Sequence, residues 1–471
     1  MRRDSLSRPV RLALLHEIVS SGVTFFDYGC GHGDDINRLR RRGIKAEGWD
    51  PHHKPNAKQR PANIVNLGYV VNVVEDPVER QQTLRRAWKL TRNVLVVSAR
   101  LDHELDEAHV AAFGDGWLTR QGTFQKFFTH EELGDWVGAV LSEQPIAAGP
   151  GIYYVFKNTD ERERYLASRF RRPVALPRSR PSDDDYQNHK QILDPLIEFV
   201  GERGRLPAVC ELDETAALEE AFGSLRRAFR VVLWVTDREA WDLVRRERSV
   251  DLLVHLALAR FHGRPRWSDL PDELQRDVRA FYRSYKKACE EADRLLFATG
   301  NKDAVLLACR ASGVGKLTPT AVYIHESALH DLPALLRIYE GCARALAGTV
   351  EGANVVKLFR DQPRVSYLAY PDFDKVAHPC LEEVFLCDLG AQEVRWRDYR
   401  SSRNPPILHR KEMLVSSQYS GRSKFARLTK AEEAAGLFET PELIGLRVGW
   451  EETLREKGVY LQGHRLCREA A

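Results

Sequence analysis

The residues with the most chemical content lie near the N-terminus, in Phe26-Asp-Tyr-Gly-Cys-Gly-His-Gly-Asp-Asp35. Gly29, Gly31 and Gly33 let the backbone turn sharply and approach a ligand with no Cβ in the way. A β-rich run, 23–28, leads into this turn, and a helix over 34–42, closed by Gly43, leaves it. A second strand over 45–49 ends at Asp50, 17 residues after Gly33. A carboxylate there can accept hydrogen bonds from a ribose diol, the logic of nucleotide-binding α/β folds. Dinucleotide enzymes show G-x-G-x-x-G; here the spacing is G-x-G-x-G, preceded by Asp27.

The surrounding elements must position that loop. Strands are predicted over 62–67, 94–98 and 152–156. A helix is predicted over 76–90, where Asp76 caps, Pro77 fits the first turn and Glu79 completes a D-x-x-E capping box. Thr129-His-Glu-Glu132 is a second capping box, opening a helix through Trp136. Alternating β and α implies a mostly parallel sheet with helices on both faces over residues 1–158.

Beyond this domain the pattern changes. Residues 159–185 are rich in Arg, Pro and Asp and read as a charged linker. Residues 186–350 carry apolar residues at helical spacing, as over 250–261 and 274–297. Residues 351–471 read as an α+β region, with strands over 355–359, 365–370, 384–388 and 394–398 and a helix over 431–438. No internal repeat is read along the chain. At about 150 residues per domain, 471 residues suit this division.

Composition excludes several classes. With 43% hydrophobic and 29% charged residues, the chain is not a long disordered one. The net charge of +4 excludes a polycation, so nucleic-acid binding would have to come from local patches. Eight scattered cysteines with no C-x-x-C pair argue against a disulfide scaffold and a structural zinc knot. Arg11, His16 and Glu17 interrupt the apolar residues near the N-terminus, so no signal peptide is expected. Nor do 18 apolar residues run together anywhere. A cytoplasmic protein without membrane or metal partners is expected.

The segment from Asp27 to Asp35 resembles motif I of class I S-adenosylmethionine-dependent methyltransferases, and Asp50 matches their acidic ribose-binding position. The segment from Asn63 to Pro77 resembles that of compact members, in which a strand leads into a short helix and an acidic-Pro turn. Those members often carry Glu-His in the helix; this chain has Asn72-Val73, so no general-base histidine is expected there. Four stretches resemble the DNA phosphorothioation-associated methyltransferase family: Asp27 to Asp35, Leu67 to Asp76, Gly122 to Phe128 and Asn404 to Glu412. The resemblance implies a Rossmann-like methyltransferase domain, S-adenosylmethionine as cofactor and an association with DNA modification proteins. Asp27, Gly29, Gly31 and Gly33 would lie along the cofactor, Asp50 would hold its ribose, and Tyr69, Asn72, Gln125 and Lys126 are candidate catalytic wall residues. The expected function is methyl transfer to DNA or a DNA-modification intermediate. A small-molecule methyltransferase and a non-catalytic cofactor-binding component of a defence complex remain open.

Other motifs fail on spacing. Gly313-Val-Gly-Lys-Leu-Thr318 has Arg310 where a phosphate loop needs glycine. His325 and His330 are five apart and would not share one helical face for a metal. Asp372-Phe-Asp-Lys375 lacks the second carboxylate of a nuclease core. Asn404-Pro-Pro-Ile407 lacks the aromatic ring of an amino-methyltransferase loop and reads as a turn before a strand over 407–412. On that strand His409, Arg410 and Lys411 meet a phosphate or form a solvated edge. Phe222-Gly-Ser-Leu-Arg-Arg-Ala-Phe229, after Gly204-Arg-Leu-Pro207, resembles a small helix-turn-helix repeat. Arg226, Arg227 and Arg230 near its second helix either contact DNA, making residues after 185 the nucleic-acid-binding part, or are surface arginines of a packing module.

Overall fold

In the computed structural model, residues 5–172, 184–208 and 210–468 are described. Two compact units form. The first comprises residues up to 158 with 306–332 and 342 onward; the second comprises 159–305 and 333–341.

The first unit opens with helix α1 (Arg8–Leu15) and strand β1 (Thr24–Tyr28), followed by α2 (Asp34–Arg41) and β2 (Lys45–Trp49). Then come β3 (Ala62–Gly68), α3 (Pro77–Leu90) and β4 (Thr91–Ser98). A hairpin sheet of β5 (Val110–Phe113), β6 (Gly116–Thr119) and β7 (Phe124–Gln125) precedes α4 (His130–Leu141), β8 (Ile146–Gly149) and β9 (Ile152–Phe156). The expected strands and helices are present to within a few residues; the hairpin sheet was not expected.

The main sheet has the order β2-β1-β3-β4-β9-β8. The pairs β2–β1, β1–β3 and β3–β4 are parallel, while β9 runs antiparallel to both β4 and β8. The chain leaves β1 for β2 on one side and returns past it to β3 on the other. The carboxyl ends of β1 and β3 therefore flank a topological switch point, where open α/β sheets bind ligands.

Local chemistry explains the covering helices. Asp76 caps α3, but its Oδ1 accepts from Val78 N–H at 2.8 Å, two residues on, rather than from Glu79. Arg80, Thr83, Leu84 and Ala87 recur at helical spacing and form its buried face. At α4 the predicted box forms in full: Thr129 Oγ1 accepts from Glu132 N–H and Glu132 from Thr129 N–H. Leu84, Leu133 and Val137 are fully buried against Leu67, Leu95 and Val97 of the sheet.

The second unit is helical. It contains α5 (Thr159–Ser168), α6 (Asp184–Asn188), α7 (Lys190–Arg203), α8 (Thr215–Phe222), α9 (Leu225–Val235) and α10 (Arg238–Leu258), then α11 (Asp272–Tyr282) and α12 (Tyr285–Ala298). Helices α13 (Lys302–Ala311) and α14 (Ala334–Ala347) follow in the chain. Of the expected linker, 159–168 is thus helix, and 173–183 lie outside the described residues. The predicted helical run 274–297 is two helices, broken at Arg283, which takes φ 62°.

The remaining residues of the first unit form an antiparallel sheet of β10 (Lys316–Leu317), β11 (Ala321–His325), β12 (Val355–Phe359), β13 (Arg364–Ala369), β14 (Glu383–Asp388) and β15 (Glu393–Asp398), in that order. The strands β10 and β11 fall within 186–350, expected to be helical, yet β11 pairs with β12 along its whole length. Helices α15 (Arg422–Ala434) and α16 (Arg447–Glu456) and a hairpin of β16 (Val459–Gln462) and β17 (Arg465–Arg468) complete the unit. Among the described residues no helix is long and apolar enough to cross a membrane, and no cluster of His, Cys, Asp and Glu is arranged to hold a metal ion.

The expected strand over 407–412 does not form. Ile407 makes an isolated bridge to Cys380, and residues 411–413 are a short helical turn. Lys411 is 2% exposed and donates to the carbonyls of Phe373 and Val376 at 2.6 and 2.7 Å. Buried His409 bonds the Ile444 carbonyl through Nε2, and Arg410 pairs with Glu433. His409 and Lys411 thus form an internal staple rather than a solvated strand edge, with half-exposed Arg410 beside them.

Candidate functional site

The loop after β1 is held by β2. Gly29 and Cys30 N–H both donate to Trp49 O, at 2.8 and 3.0 Å. Gly29, Gly31 and Gly33 take φ of 86°, 51° and 83°, the left-handed region that L side chains rarely adopt. Asp50 fixes the loop from the far end of β2. Its Oδ2 accepts from Gly31 N–H at 2.9 Å, and its Oδ1 from His52 and His53 N–H at 2.9 and 2.8 Å. Burial would raise this carboxyl, but the three backbone donors outweigh it and hold it below the usual carboxylate range.

Asp27 is buried at the end of β1, and the β1–β3 register places Asn66 beside it. Asn66 Nδ2 donates to Asp27 Oδ1 at 2.8 Å. A recess of about 150 Å3 opens here, walled by Asp27, Asn66, Asp34, Asp35, Ser7 and the glycine loop. Asp35 accepts from Ser7 N–H at 2.8 Å. Two buried polar atoms in the walls, Asn66 Oδ1 and Ser7 Oγ, have no hydrogen-bond partner. Such orphans are costly unless a ligand satisfies them. Burial, then Asp27, pushes the Cys30 thiol up to about 11, so this loop cysteine stays protonated and is no nucleophile.

A larger cleft of about 890 Å3 shares Gly29 and Gly68 with the recess. Tyr69, Val70, Val73 and the hairpin residues Phe113 and Phe124 form its apolar wall. Asp50, Glu75, Asp76, Glu79 and Asp115 supply carboxylates, and no Lys or Arg lines it. Tyr69 takes φ 59°, strained for a non-glycine residue, with its N–H on Ser98 O at 3.0 Å.

The structure thus brings Asp27, Gly29, Gly31, Asp50 and Tyr69 around one pair of adjoining pockets, while Gly33 caps α2 beside Lys54 and lines neither. The other three candidates gather at one point behind the cleft. Asn72 is 1% exposed and its Nδ2 donates to Gln125 Oε1 at 2.9 Å, while Lys126 N–H bonds Asn72 O at 2.7 Å. Lys126 Nζ lies 3.0 Å from Glu132 Oε1 and 3.4 Å from Asp115 Oδ2. Asp115 is in turn paired with Arg80 at 2.7 Å. The expected short helix carrying Tyr69 and Asn72 is a single turn, closed by Val73 N–H on Val70 O.

Sequence reasoning missed Ser7, Asp35 and Asn66. Asn66 had a signal, a polar residue inside the apolar run Ile64-Val-Asn-Leu67. Ser7 had none, since only the fold brings the entry to α1 against α2.

No family model matches the chain, and no curated protein matches it. Solved structures are similar to part of it. The sugar N-methyltransferase KedS8 from Streptoalloteichus is 13% identical, with 31% of this chain and 85% of that chain covered and a TM-score of 0.26. CalS10, an amino pentose methyltransferase from Micromonospora echinaspora, is 14% identical over 32% of this chain and 88% of its own, with a TM-score of 0.24. A SAM-dependent methyltransferase from Thermotoga maritima, a possible histamine N-methyltransferase, is 14% identical over 32% and 94%, with a TM-score of 0.21.

Proposed function

We propose that the chain is an S-adenosylmethionine-dependent methyltransferase whose cofactor site is the recess at the ends of β1 and β3. The observation that carries this reading is the arrangement at the switch point: buried Asp27 bonded to Asn66 at the strand ends, a glycine loop with positive φ beside them, and Asp50 tying that loop to the end of β2. The three carboxylates of the recess, Asp27, Asp34 and Asp35, suit a ligand that is cationic and donates hydrogen bonds. When bound, the cofactor supplies an activated methyl group on a sulfonium. Asp27 and Asn66 accept from its amino-acid end, and the glycine loop passes it with no Cβ in the way. Asp50 retains lone-pair capacity for a ribose hydroxyl beyond its three backbone bonds. With the methyl already activated, the protein's task is alignment of the acceptor, the role of Tyr69 and the hairpin wall.

The lining of the cleft bears on the acceptor. The family resemblance points to DNA or a phosphorothioated intermediate. Asp115 is paired with Arg80 and Lys126, but the other four carboxylates lining the cleft, with no Lys or Arg among the lining residues, repel a polyanion and favour the second reading, a small-molecule heteroatom. Neither reading uses a general-base histidine, which suits a nucleophile that attacks unassisted. Incubation of the protein with labelled cofactor and with plain DNA, phosphorothioated DNA or a small-molecule extract separates them. Label in the small-molecule fraction is expected. Methyl on DNA, plain or phosphorothioated, with none in the small-molecule fraction would overturn the small-molecule reading in favour of the DNA one, and failure to bind the cofactor would overturn the enzyme assignment.

A further inference from the structure

The helical unit contains a recurring pattern that the sequence conceals. Helix α7 ends at Gly204 (φ 65°), and α8 is joined to α9 through Gly223 (φ 77°) and Ser224. Later in the chain, Gly263 (φ 65°) precedes α11, which is joined to α12 through Arg283 (φ 62°) and Ser284. Ser224 caps α9 by accepting from Arg227 N–H, and Ser284 caps α12 by accepting from Lys287 N–H. Sixty residues apart, Leu218 matches Val278, Ala228 matches Ala288 and Val232 matches Ala292, each fully buried. From residue 222 to 230 and from 282 to 290 the order of buried, half-buried and exposed residues is the same. The two segments share one helix, tight turn, capped helix pattern.

The two segments separate what packing needs from what it does not. The buried positions stay apolar and the caps agree in chemistry. The exposed positions diverge: α9 carries Arg226, Arg227 and Arg230, and α12 carries Lys286, Lys287 and Glu290 there. Glu290 lies 3.9 Å from Lys286, so the second face is partly self-neutralised. The three guanidiniums of α9 have no acidic partner among the described residues. Packing does not require an arginine at 230, because the same pattern forms with a glutamate there.

We propose that the exposed face of α9 docks on the phosphate backbone of duplex DNA, and that α12 does not. Guanidiniums match phosphate oxygens in planar, two-pronged pairs. The second helix of a helix-turn-helix enters the major groove from its N-terminal end, where Arg226 and Arg227 lie. B-form DNA admits a helix there, whereas the major groove of duplex RNA is too deep and narrow. The inference concerns binding alone and stands whatever the methyl acceptor proves to be.

Fluorescence anisotropy of the full chain with a labelled duplex of about two helical turns tests it. Three phosphate contacts predict a log–log salt slope of about −2.7, an affinity loss of about 40-fold between about 50 and 200 mM salt. Arg226→Gln with Arg227→Gln and Arg230→Gln should abolish most of this binding, and Lys286→Gln with Lys287→Gln should leave it unchanged. Arg230→Glu, which copies the residue of the sister helix, should weaken binding about tenfold or more in a protein that still folds. Absence of duplex binding at low salt, an α12 variant as impaired as the α9 variant, or stronger binding to duplex RNA would each overturn the proposal.

Discussion

Asp50 Oδ2 accepts the N–H of Gly31 at 2.9 Å, so the carboxylate ending β2 ties down the loop that leaves β1. Its other oxygen holds the next turn through His52 and His53. A residue identified for its reach towards a ribose also builds the loop that would cradle the rest of the ligand.

Asp50→Ala should therefore damage both loop and ligand binding. Hydrogen bonds to a charged group contribute about 1.5–3 kcal/mol each. Cofactor affinity by calorimetry should fall about tenfold or more. The Asp50 carboxyl is held below its usual range, so its contribution to stability is present above the unfolded pKa and is lost as pH falls through the lowered value. Unchanged affinity in the variant would count against the site.

Gly29→Ala and Gly33→Ala should differ, though both residues have positive φ. A Cβ on Gly33 meets only the far end of Lys54, 2.5 Å from Nζ, and that chain can swing away. Its cost is the left-handed backbone, about 1–2 kcal/mol. A Cβ on Gly29 would sit 2.4 Å from Val70 Cγ2, on a β-branched side chain at the mouth of the cleft. Denaturant titration should show the Gly29 variant as the less stable, and it should also bind cofactor more weakly. Equal stability of the two would contradict this packing.

Lys126→Met should act on stability. The ammonium is held between Asp115 and Glu132, both partly exposed, so its loss should cost about 0.5–1 kcal/mol. Thermal unfolding should shift down and cofactor affinity should stay unchanged. Lost turnover without lost stability would place Lys126 at the acceptor instead.

His130 predicts acid sensitivity. Its Nδ1 accepts from Gly151 N–H at 3.0 Å and its Nε2 bonds Leu346 O at 2.9 Å, an arrangement that suits the neutral ring. Burial lowers its pKa from 6.5 to about 4. Below pH 6.5 the unfolded chain takes up a proton that the folded chain refuses until about pH 4. Stability should fall across that window, by up to about 3 kcal/mol from this residue alone. His130→Gln should flatten the decline measured by denaturant titration at a series of pH values. An identical pH profile in the variant would refute the role.

What the sequence by itself determined is local. The strand, the three glycines, the capped helices and Asp50 are legible because their constraints act within a few residues: positive φ, cap bonds, alternation of strand and helix. Tertiary structure alone decided the rest. Asn66 meets Asp27 through the β1–β3 register, and Ser7 meets Asp35 across 28 residues. Asn72 and Gln125, read as cleft walls, bond each other behind it because the turn after β3 buries Asn72 and β7 brings half-buried Gln125 to it. His409 and Lys411 form an interior staple instead of a charged strand, since Phe373 and Val376 supply carbonyls from a distant turn. The recurring helix-turn-helix pattern is not legible in the sequence for a related reason. Its identity resides in burial and caps, which different residues satisfy equally, and at one turn Arg283 adopts the left-handed backbone that Gly223 supplies in the other segment.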